Sequence, residues 1–482
     1  MTQQQGETRI ETDSMGEMQV PAWALWGAST QRARENFPIA GRGVPVEIVH
    51  AFGHLKAACA AANRELDKLP AAIVDPIIAA ANEVAAGKLD DHFVVDVYQT
   101  GSGTSTNMNA NEVIANRANQ IRGEHGGGGE GGAEKIHPND HVNMGQSSND
   151  TFPTAMHLAA ALAIHHRLLL ALERLRARLS EQARRWDEVV KIGRTHLMDA
   201  TPIRVGQVFA GYEAQALYAE RRALEAAERL QGSLAIGGTA VGTGINTHER
   251  FASLVCHELT ARFQEQYPGA VFEEADNHVE AQATRDSFVE AHGHLKTIAV
   301  SLSKIANDIR WLGSGPRCGL GELRLPAIQP GSSIMPGKVN PVICESVMQV
   351  ACRVVANDHA VTLGAFGGVG SLLELNVAMP MMADAGLESI NLLAAACDVF
   401  VDKLLDGLEV DAERCRSLIE QSLMMVTSLA PEIGYDTAAK LAKEALEQGR
   451  TIRELVRERG LIDDTRLDAL LDPASMTRPS EE

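Results

Sequence analysis

Four segments of the chain are rich in small hydrogen-bonding side chains that could bind an anion or move a proton. They span residues 100–107, 146–153, 193–199 and 331–341. Three of them run directly into a predicted helix start, where Ser, Thr and Asn are favoured as caps of the free backbone N–H groups. Because those same N–H groups form anion-binding sites, each of these segments has both a structural and a catalytic interpretation.

The first two segments supply hydroxyl and amide groups. Ser102 and Thr104 flank Gly103, which would let a substrate approach the backbone closely. Capping alone explains this first segment, but a cap uses only one or two of the four consecutive polar residues in the second. Those four residues are Ser147, Ser148, Asn149 and Asp150.

The other two segments carry the ionisable groups. A lone histidine is usually structural, yet histidine titrates near neutral pH, so His196, next to Thr195, is the best candidate acid or base. In the last segment, two serines and a lysine close to a helix start favour an oxyanion cradle over a surface turn. The residues concerned are Ser332, Ser333, Lys338, Val339 and Asn340, with Glu345 in the first turn of the next helix.

Taken together, the four segments predict a metal-free site for a small dianion. Its components are many neutral donors, one lysine, one histidine and several helix N-termini. The seven cysteines are scattered without a Cys-x-x-Cys pair, so their spacing suggests neither a zinc site nor an iron–sulfur cluster. We therefore expect no metal and no organic cofactor.

The bulk properties set limits on partners and location. The formal net charge of -19 argues against nucleic acid or an acidic membrane as a partner. The amino terminus has no apolar core of the secretory type, and we find no window apolar for long enough to span a membrane. The sequence thus predicts a cytoplasmic protein.

The elements that must position these segments are helical. Aromatic residues make up only 4% of the chain, and apolar residues recur at the 3-4 spacing of helix seams, as in Leu295, Ile298, Leu302 and Ile305. We predict five long helices, at 154–186, 204–231, 279–312, 341–363 and 374–408, with a kink at Pro380. Seams of this length must pack against one another, which predicts an all-α fold with a central helical bundle.

The pattern changes along the chain predict three domains. Residues 1–146 form an N-terminal domain of small helices and substrate loops, 147–409 the long-helix bundle, and 410–482 a small C-terminal helical domain. The glycine-rich run 126–132 is interpreted as a surface loop.

The loop from Gly331 to Pro341, Gly-Ser-Ser-Ile-Met-Pro-Gly-Lys-Val-Asn-Pro, resembles the shared loop of the aspartase/fumarase superfamily. The similarity extends from residue 13 to about residue 476. It implies a three-domain, all-α homotetramer, whose active sites are each built from three chains.

Within that superfamily the details resemble class II fumarases rather than aspartases. Ser102 stands where aspartases usually have Ala, Ser148 where they have Thr, and His196 where they have Gln. The resemblance implies reversible, metal-free hydration of fumarate to malate through an aci-carboxylate intermediate. An aspartate ammonia-lyase and a catalytically inactive structural relative are the alternatives.

The resemblance also implies roles for particular residues. Ser332 would remove the C3 proton of malate, and His196, paired with Glu345, would handle the proton of the water. The carboxylates of the substrate would be held by Ser102, Gly103, Thr104, Ser147, Ser148, Asn149, Thr195, Ser333, Lys338, Val339 and Asn340. A second, non-catalytic dicarboxylate site would involve His137, Pro138, Asn139 and Asp140. Glu134 would weaken anion binding there.

Overall fold

The computed structural model describes residues 7–124 and 135–479 and confirms the all-α fold class. Its α-helices are α1 (Ala28–Asn36), α2 (Val46–Glu65), α3 (Ala71–Ala85), α4 (Thr104–Glu124), α5 (Ser148–Ala163), α6 (Leu169–Arg185), α7 (Val205–Gln231), α8 (Phe251–Phe263), α9 (His278–Ala283), α10 (Asp286–Leu312), α11 (Val342–Ala365), α12 (Met379–Lys403), α13 (Ala412–Gln421), α14 (Ala430–Ile433), α15 (Tyr435–Gln448), α16 (Ile452–Arg459) and α17 (Asp464–Leu470). The predictions for the 126–132 run and for Glu134 lie outside the described residues.

In the described residues the strands form four two-stranded antiparallel pairs, which were not predicted from the sequence. They are β1 (Thr8–Asp13) with β2 (Gly16–Pro21), β3 (Val190–Thr195) with β4 (Met198–Arg204), β5 (Leu323–Arg324) with β8 (Glu409–Val410), and β6 (Ser371–Leu372) with β7 (Leu375–Asn376). Strands β5 to β8 have only two residues each, and each sheet has only two strands, too few to form a sheet core of its own.

The chain divides into two compact units. The first comprises Met1–Leu170, Arg221–Ala299 and Cys352–Ala394; the second comprises Ala171–Glu220, Val300–Ala351 and Ala395–Glu482. Both are assembled from segments that are distant in sequence. The three-domain boundaries remain a prediction.

The long-helix predictions are right in type and need local corrections. The helix predicted at 374–408 is shorter, because Leu375–Asn376 forms strand β7 and α12 spans only Met379–Lys403. The 279–312 stretch is broken, because α9 ends at Ala283 and Thr284 takes an extended conformation before α10. Pro380 is the second residue of α12, where its missing N–H costs nothing, so it causes no kink. The 154–186 stretch begins earlier, at Ser148, and contains a π-helical turn at Ile164–Leu168 between α5 and α6.

One stretch corrects the expectation about membrane-length windows. Among the described residues, Ser148–Arg185 is long and apolar enough, by length and composition, to cross a membrane, so the expectation was wrong by that measure. However, 72% of its apolar window is buried inside the protein, as in the core helix of a folded domain.

In the first unit, α2 is the central helix and packs against α3, α5 and α8. Its interior face carries Phe52, Leu55 and Cys59, each with no exposed surface. Burying a side chain such as Phe52 stabilises a fold by roughly 1.5–3 kcal/mol. This face also contains Lys56, which is buried as completely as its apolar neighbours.

In the second unit, the C-terminal helices hold the β3–β4 hairpin. Ile192 on β3 is buried in one apolar cluster with Ile419, Leu429 and Leu441. The hairpin is therefore anchored at its base, and its turn projects from a packed support.

Candidate active site

In the first unit, three predicted site hydroxyls form a chain of hydrogen bonds. Ser102 Oγ lies 2.8 Å from Thr104 Oγ1, and Thr104 Oγ1 lies 2.8 Å from Ser148 Oγ. The chain joins two segments 44 residues apart, so the fold brings the first two polar segments together. The hydroxyls lie at the N-terminal ends of α4 and α5, where the helix dipoles favour negative charge.

Packing requires a glycine at position 103, and the contact of Gly103 with substrate stays a prediction. The φ of Gly103 is +72°, and a Cβ at this position would lie 2.0 Å from Cδ2 of Phe152. The close approach that requires glycine is thus that of a core aromatic ring. The backbone carbonyl of Gly103 accepts a hydrogen bond from Asn107 N, which makes Gly103 the residue before the helix. Helix α4 consequently starts at Thr104, earlier than the sequence pattern indicated.

The Ser147 segment does form a helix cap. Ser147 Oγ accepts from Asn149 N at 3.2 Å, and Ser147 N donates to Asp150 Oδ1 at 2.8 Å, which completes a capping box. The cap occupies Ser147 and Asp150. It leaves Ser148 in the hydroxyl chain, and Asn149 Nδ2 donates to Ala240 O at 2.8 Å.

Asp150 has no exposed surface, and its second oxygen accepts from Gly237 N at 3.1 Å and Thr239 N at 2.9 Å. Burial raises the pKa of its carboxyl to about 7, and the backbone N–H donors oppose that shift. Asp150 therefore ties the start of α5 to the 237–239 loop.

These elements line a cavity of about 410 Å³ in the first unit, and the cavity opens to solvent. Thr104, Ser147 and Ser148 line it, together with Asn107 and Asn139. The other lining residues are Met108, Asn111, Asn143, Gly145, Gln146, Thr239, Ala240, Ile245 and Asn246. All the lining side chains are uncharged, and most are hydrogen-bonding, which suits a small polar ligand.

Lys56, behind the wall of this cavity, was not predicted from the sequence. Lys56 Nζ donates to Asn143 Oδ1 at 2.9 Å and to Gln146 Oε1 at 2.9 Å, directly behind the cavity. Burial lowers the pKa of Lys56 to about 8. The available signal was a single lysine on an otherwise apolar helix face, between Phe52 and Cys59.

The residues of the predicted second dicarboxylate site form a short π-helical turn, Pro138–Val142, capped by His137. His137 Nδ1 accepts from Asn139 N at 3.3 Å and from Asp140 N at 3.2 Å. His137 Nδ1 also lies 3.0 Å from Asp140 Oδ2, within the same turn. Asn139 also lines the cavity described above.

In the second unit, Thr195 ends β3, and His196 and Leu197 form the two-residue turn to β4. Both turn residues have positive φ, +58° and +62°, as in the turns that match the twist of a hairpin. A left-handed leucine is unfavourable by roughly 1–2 kcal/mol, so the flanking strands must impose this geometry. The His196 side chain is exposed at the tip.

A buried carboxylate, that of Glu322, contacts two basic side chains of this hairpin. Glu322, 1% exposed, accepts from Arg194 Nη1 at 2.7 Å and lies 3.3 Å from Lys191 Nζ. Arg194 precedes Thr195, so this contact fixes the strand just before the candidate catalytic residues. The pairing was not foreseen, because Glu322 is far away in sequence.

The 331–341 loop is closed by its own hydrogen bonds. Gly331 N donates to Lys338 O at 2.7 Å, and Asn340 Nδ2 donates to Gly331 O at 2.7 Å. A Cβ on Gly331 would lie 2.5 Å from Lys338 O, which explains that glycine. Ser332 Oγ accepts backbone N–H groups from Ile334 at 3.2 Å and Met335 at 3.1 Å.

The remaining residues of this loop project outwards. Ser333, Lys338 and Val339 are exposed, as is Glu345 in the first turn of α11. Within the described part of the single chain, no hydrogen bond or ion pair joins His196 to Glu345, so their pairing stays a prediction. Among the same residues, no group of three or more His, Cys, Asp or Glu is arranged to hold a metal ion.

Comparisons with known proteins agree with this architecture. A family profile described as "Lyase" matches residues 16–356, and one described as "Fumarase C C-terminus" matches residues 425–478. "Fumarate hydratase class II" of Corynebacterium glutamicum is 51% identical over 489 residues, covering 100% of this chain and 98% of that protein. The protein of the same name from Thermus thermophilus is 48% identical over 98% of this chain and 99% of its own length.

A solved structure is also similar over almost the whole chain. The crystal structure of recombinant class II fumarase from Schistosoma mansoni superposes with a TM-score of 0.92 at 37% identity. The match covers 98% of this chain and 100% of that one.

Proposed function

This chain belongs to the lyase family of the class II fumarate hydratases, and from that premise we propose that it catalyses the reversible hydration of fumarate to (S)-malate. The observation that carries the proposal is the setting of Ser332. Its Oγ accepts two backbone N–H groups, from Ile334 and Met335. Donors aimed at an oxygen stabilise negative charge on it, so this serine can act as an alkoxide base.

Removing the C3 proton of malate places a second negative charge on the neighbouring carboxylate. That aci-carboxylate dominates the barrier, and each preorganised donor is typically worth ~2.7–4 kcal/mol. Lys338, Asn340 and Ser333 lie in the same loop as Ser332 and are proposed to bind the reacting carboxylate. Thr195 on the hairpin is proposed to assist them.

The other carboxylate is assigned to the cavity of the first unit. The hydroxyl chain Ser102–Thr104–Ser148 and the Ser147 and Asn149 side chains provide neutral donors at two helix N-termini. Such an arrangement binds a carboxylate without a counter-charge in direct contact. His196, oriented by Glu345, then takes or returns the proton of the water.

We further propose a cytoplasmic homotetramer in which three chains contribute to each active site. The supporting observation is exposure: His196, Lys338 and Glu345 are all exposed on the single chain. Charged catalytic groups are far more effective when water is excluded, so neighbouring chains are expected to cover them. The second dicarboxylate site at 137–140 remains a prediction.

The test is to follow ultraviolet absorbance after incubating the purified protein separately with fumarate, malate and aspartate. A hydratase approaches one fumarate–malate equilibrium from both sides. Fumarate appearing only from aspartate would move the assignment to an ammonia-lyase. No change with any of the three would overturn the proposed activity.

A further inference from the structure

Lys56 is a buried cation that no residue role assigned above uses. It has no exposed surface, and its two recorded hydrogen bonds go to neutral carboxamides, Asn143 Oδ1 and Gln146 Oε1, each at 2.9 Å. Taking an ammonium group out of water costs several kcal/mol, and amide oxygens repay only part of that cost. Among the described residues, no carboxylate forms an ion pair with it.

The carboxylate whose charge acts on Lys56 is that of Asp150, and it is already engaged. It accepts backbone N–H groups from Ser147, Gly237 and Thr239. Lys56 is therefore without a dedicated counter-ion. The other titratable group that acts on it is Cys59, one turn along the same helix.

The two carboxamides that hold Lys56 are themselves part of the cavity wall. Asn143 and Gln146 line the cavity beside Ser147 and Ser148. Their amide groups are fixed on the far side as well, since Gln146 Nε2 donates to Val142 O and Met144 O at 3.1 Å each. Asn107 Nδ2 also donates to Asn143 Oδ1, at 3.2 Å. The lysine thus lies one hydrogen bond behind a wall that carries no charge of its own.

We propose that Lys56 is the positioning residue of this cavity and supplies the positive charge that selects dianionic over monoanionic ligands. It does so without touching the ligand, through the Asn143 and Gln146 carboxamides and through its field in a region of low dielectric. This inference rests on the proposed function, because it deepens the recognition of a dicarboxylate at the same site. It explains how a chain with a net charge of -19 binds a small dianion.

The test is calorimetric binding of three ligands that share a size and differ in charge: succinate, its monoamide succinamate, and the neutral diamide succinamide. Lys56→Met should weaken succinate more than succinamate and leave succinamide unchanged. For each negative charge on the ligand, the dissociation constant of Lys56→Met should rise on the order of tenfold relative to wild type. This is the size expected for unit charges several Å apart in a protein-like dielectric. Because the transition state carries still more charge, kcat/KM for fumarate should fall further than succinate affinity.

Two further variants separate charge from packing. Leu55→Ala loosens the same buried helix without removing a charge, so it should not alter the succinate-to-succinamide ratio. Lys56→Gln keeps a donor for the carboxamides and loses the charge, and it should reproduce the charge-dependent loss if Lys56→Met does not fold. Equal weakening of all three ligands, or none, would overturn the role of Lys56 while the hydratase proposal stood. A wild-type protein that neither binds succinate nor hydrates fumarate would overturn both.

Discussion

Replacing Gly103 by alanine tests whether packing behind the hydroxyl chain determines its geometry. The new methyl group would lie 2.0 Å from Cδ2 and 2.2 Å from Cγ of Phe152, well inside van der Waals contact. The backbone φ of +72° is also in the left-handed region. Either the ring or the 100–104 loop must therefore move by more than 1 Å, an order-of-magnitude figure from normal carbon contacts.

The two costs can be estimated separately. A left-handed alanine costs roughly 1–2 kcal/mol, and overpacking a core costs typically ~1–3 kcal/mol. The sum, about 2–5 kcal/mol, is large for one methyl group. If the loop yields, Ser102 and Thr104 shift with it, and a misplacement of about 1 Å in an active site can reduce the rate on the order of 100-fold.

The assay combines thermal unfolding with kcat/KM for fumarate. Gly449→Ala is the matched control, because Gly449 has a left-handed backbone with a φ of +63° and nothing lies within 4 Å of its added Cβ. It should show the backbone cost alone and retain activity. Phe152→Leu in the Gly103→Ala background should recover part of the loss. Wild-type activity and melting temperature in Gly103→Ala would refute the reasoning.

Three further predictions concern single side chains. Ser332→Ala is expected to lower kcat sharply with little change in succinate affinity, and near-normal turnover would exclude this serine as the base. His196→Asn should depress kcat and change the pH–rate profile; an unchanged profile would contradict its role in proton transfer. Hydrogen bonds from His292 and Lys296 lower the pKa of Asp358 from 3.8 to about 2. The ionised carboxylate therefore stabilises the fold above about pH 4. This stabilisation is lost as the pH falls through about 2. Asp358→Asn should therefore cost up to about 2 kcal/mol near neutrality, less whatever solvent screening removes, and should flatten acid unfolding between pH 4 and 2.

Much of the architecture could be predicted because it depends on periodicity. The helix predicted at 204–231 matches α7, Val205–Gln231, to within one residue. The regular apolar spacing likewise predicted that α10 and α6 are helices. By contrast, the break before α10 was missed, because Thr284 and Arg285 carry no Gly or Pro signal.

Some residues of the candidate site could be predicted from the sequence and others could not. Ser102, Thr104 and Ser148 could be named from their local motifs, and the fold links them by hydrogen bonds. Lys56 and Glu322 could not be named, since their importance depends on partners 87 and 128 residues away. The packing reason for a glycine at position 103 could not be predicted either, because Phe152, which excludes a side chain there, comes from another segment.

The π-helical turn at Ile164–Leu168 has a consequence for how this family can tolerate insertions and deletions. Such a turn accommodates one extra residue, and each residue rotates a helix face by about 100°. The turn lies just before Leu170, the last residue of the first unit on this helix. Deleting one residue from the turn would restore a regular helix and rotate Leu172, Leu175 and Leu179 out of phase with the neighbours they now pack against. The turn therefore sets the rotation of the following helix face about the helix axis. We expect an insertion or deletion at this turn to persist only when a second length change within a few residues restores that rotation.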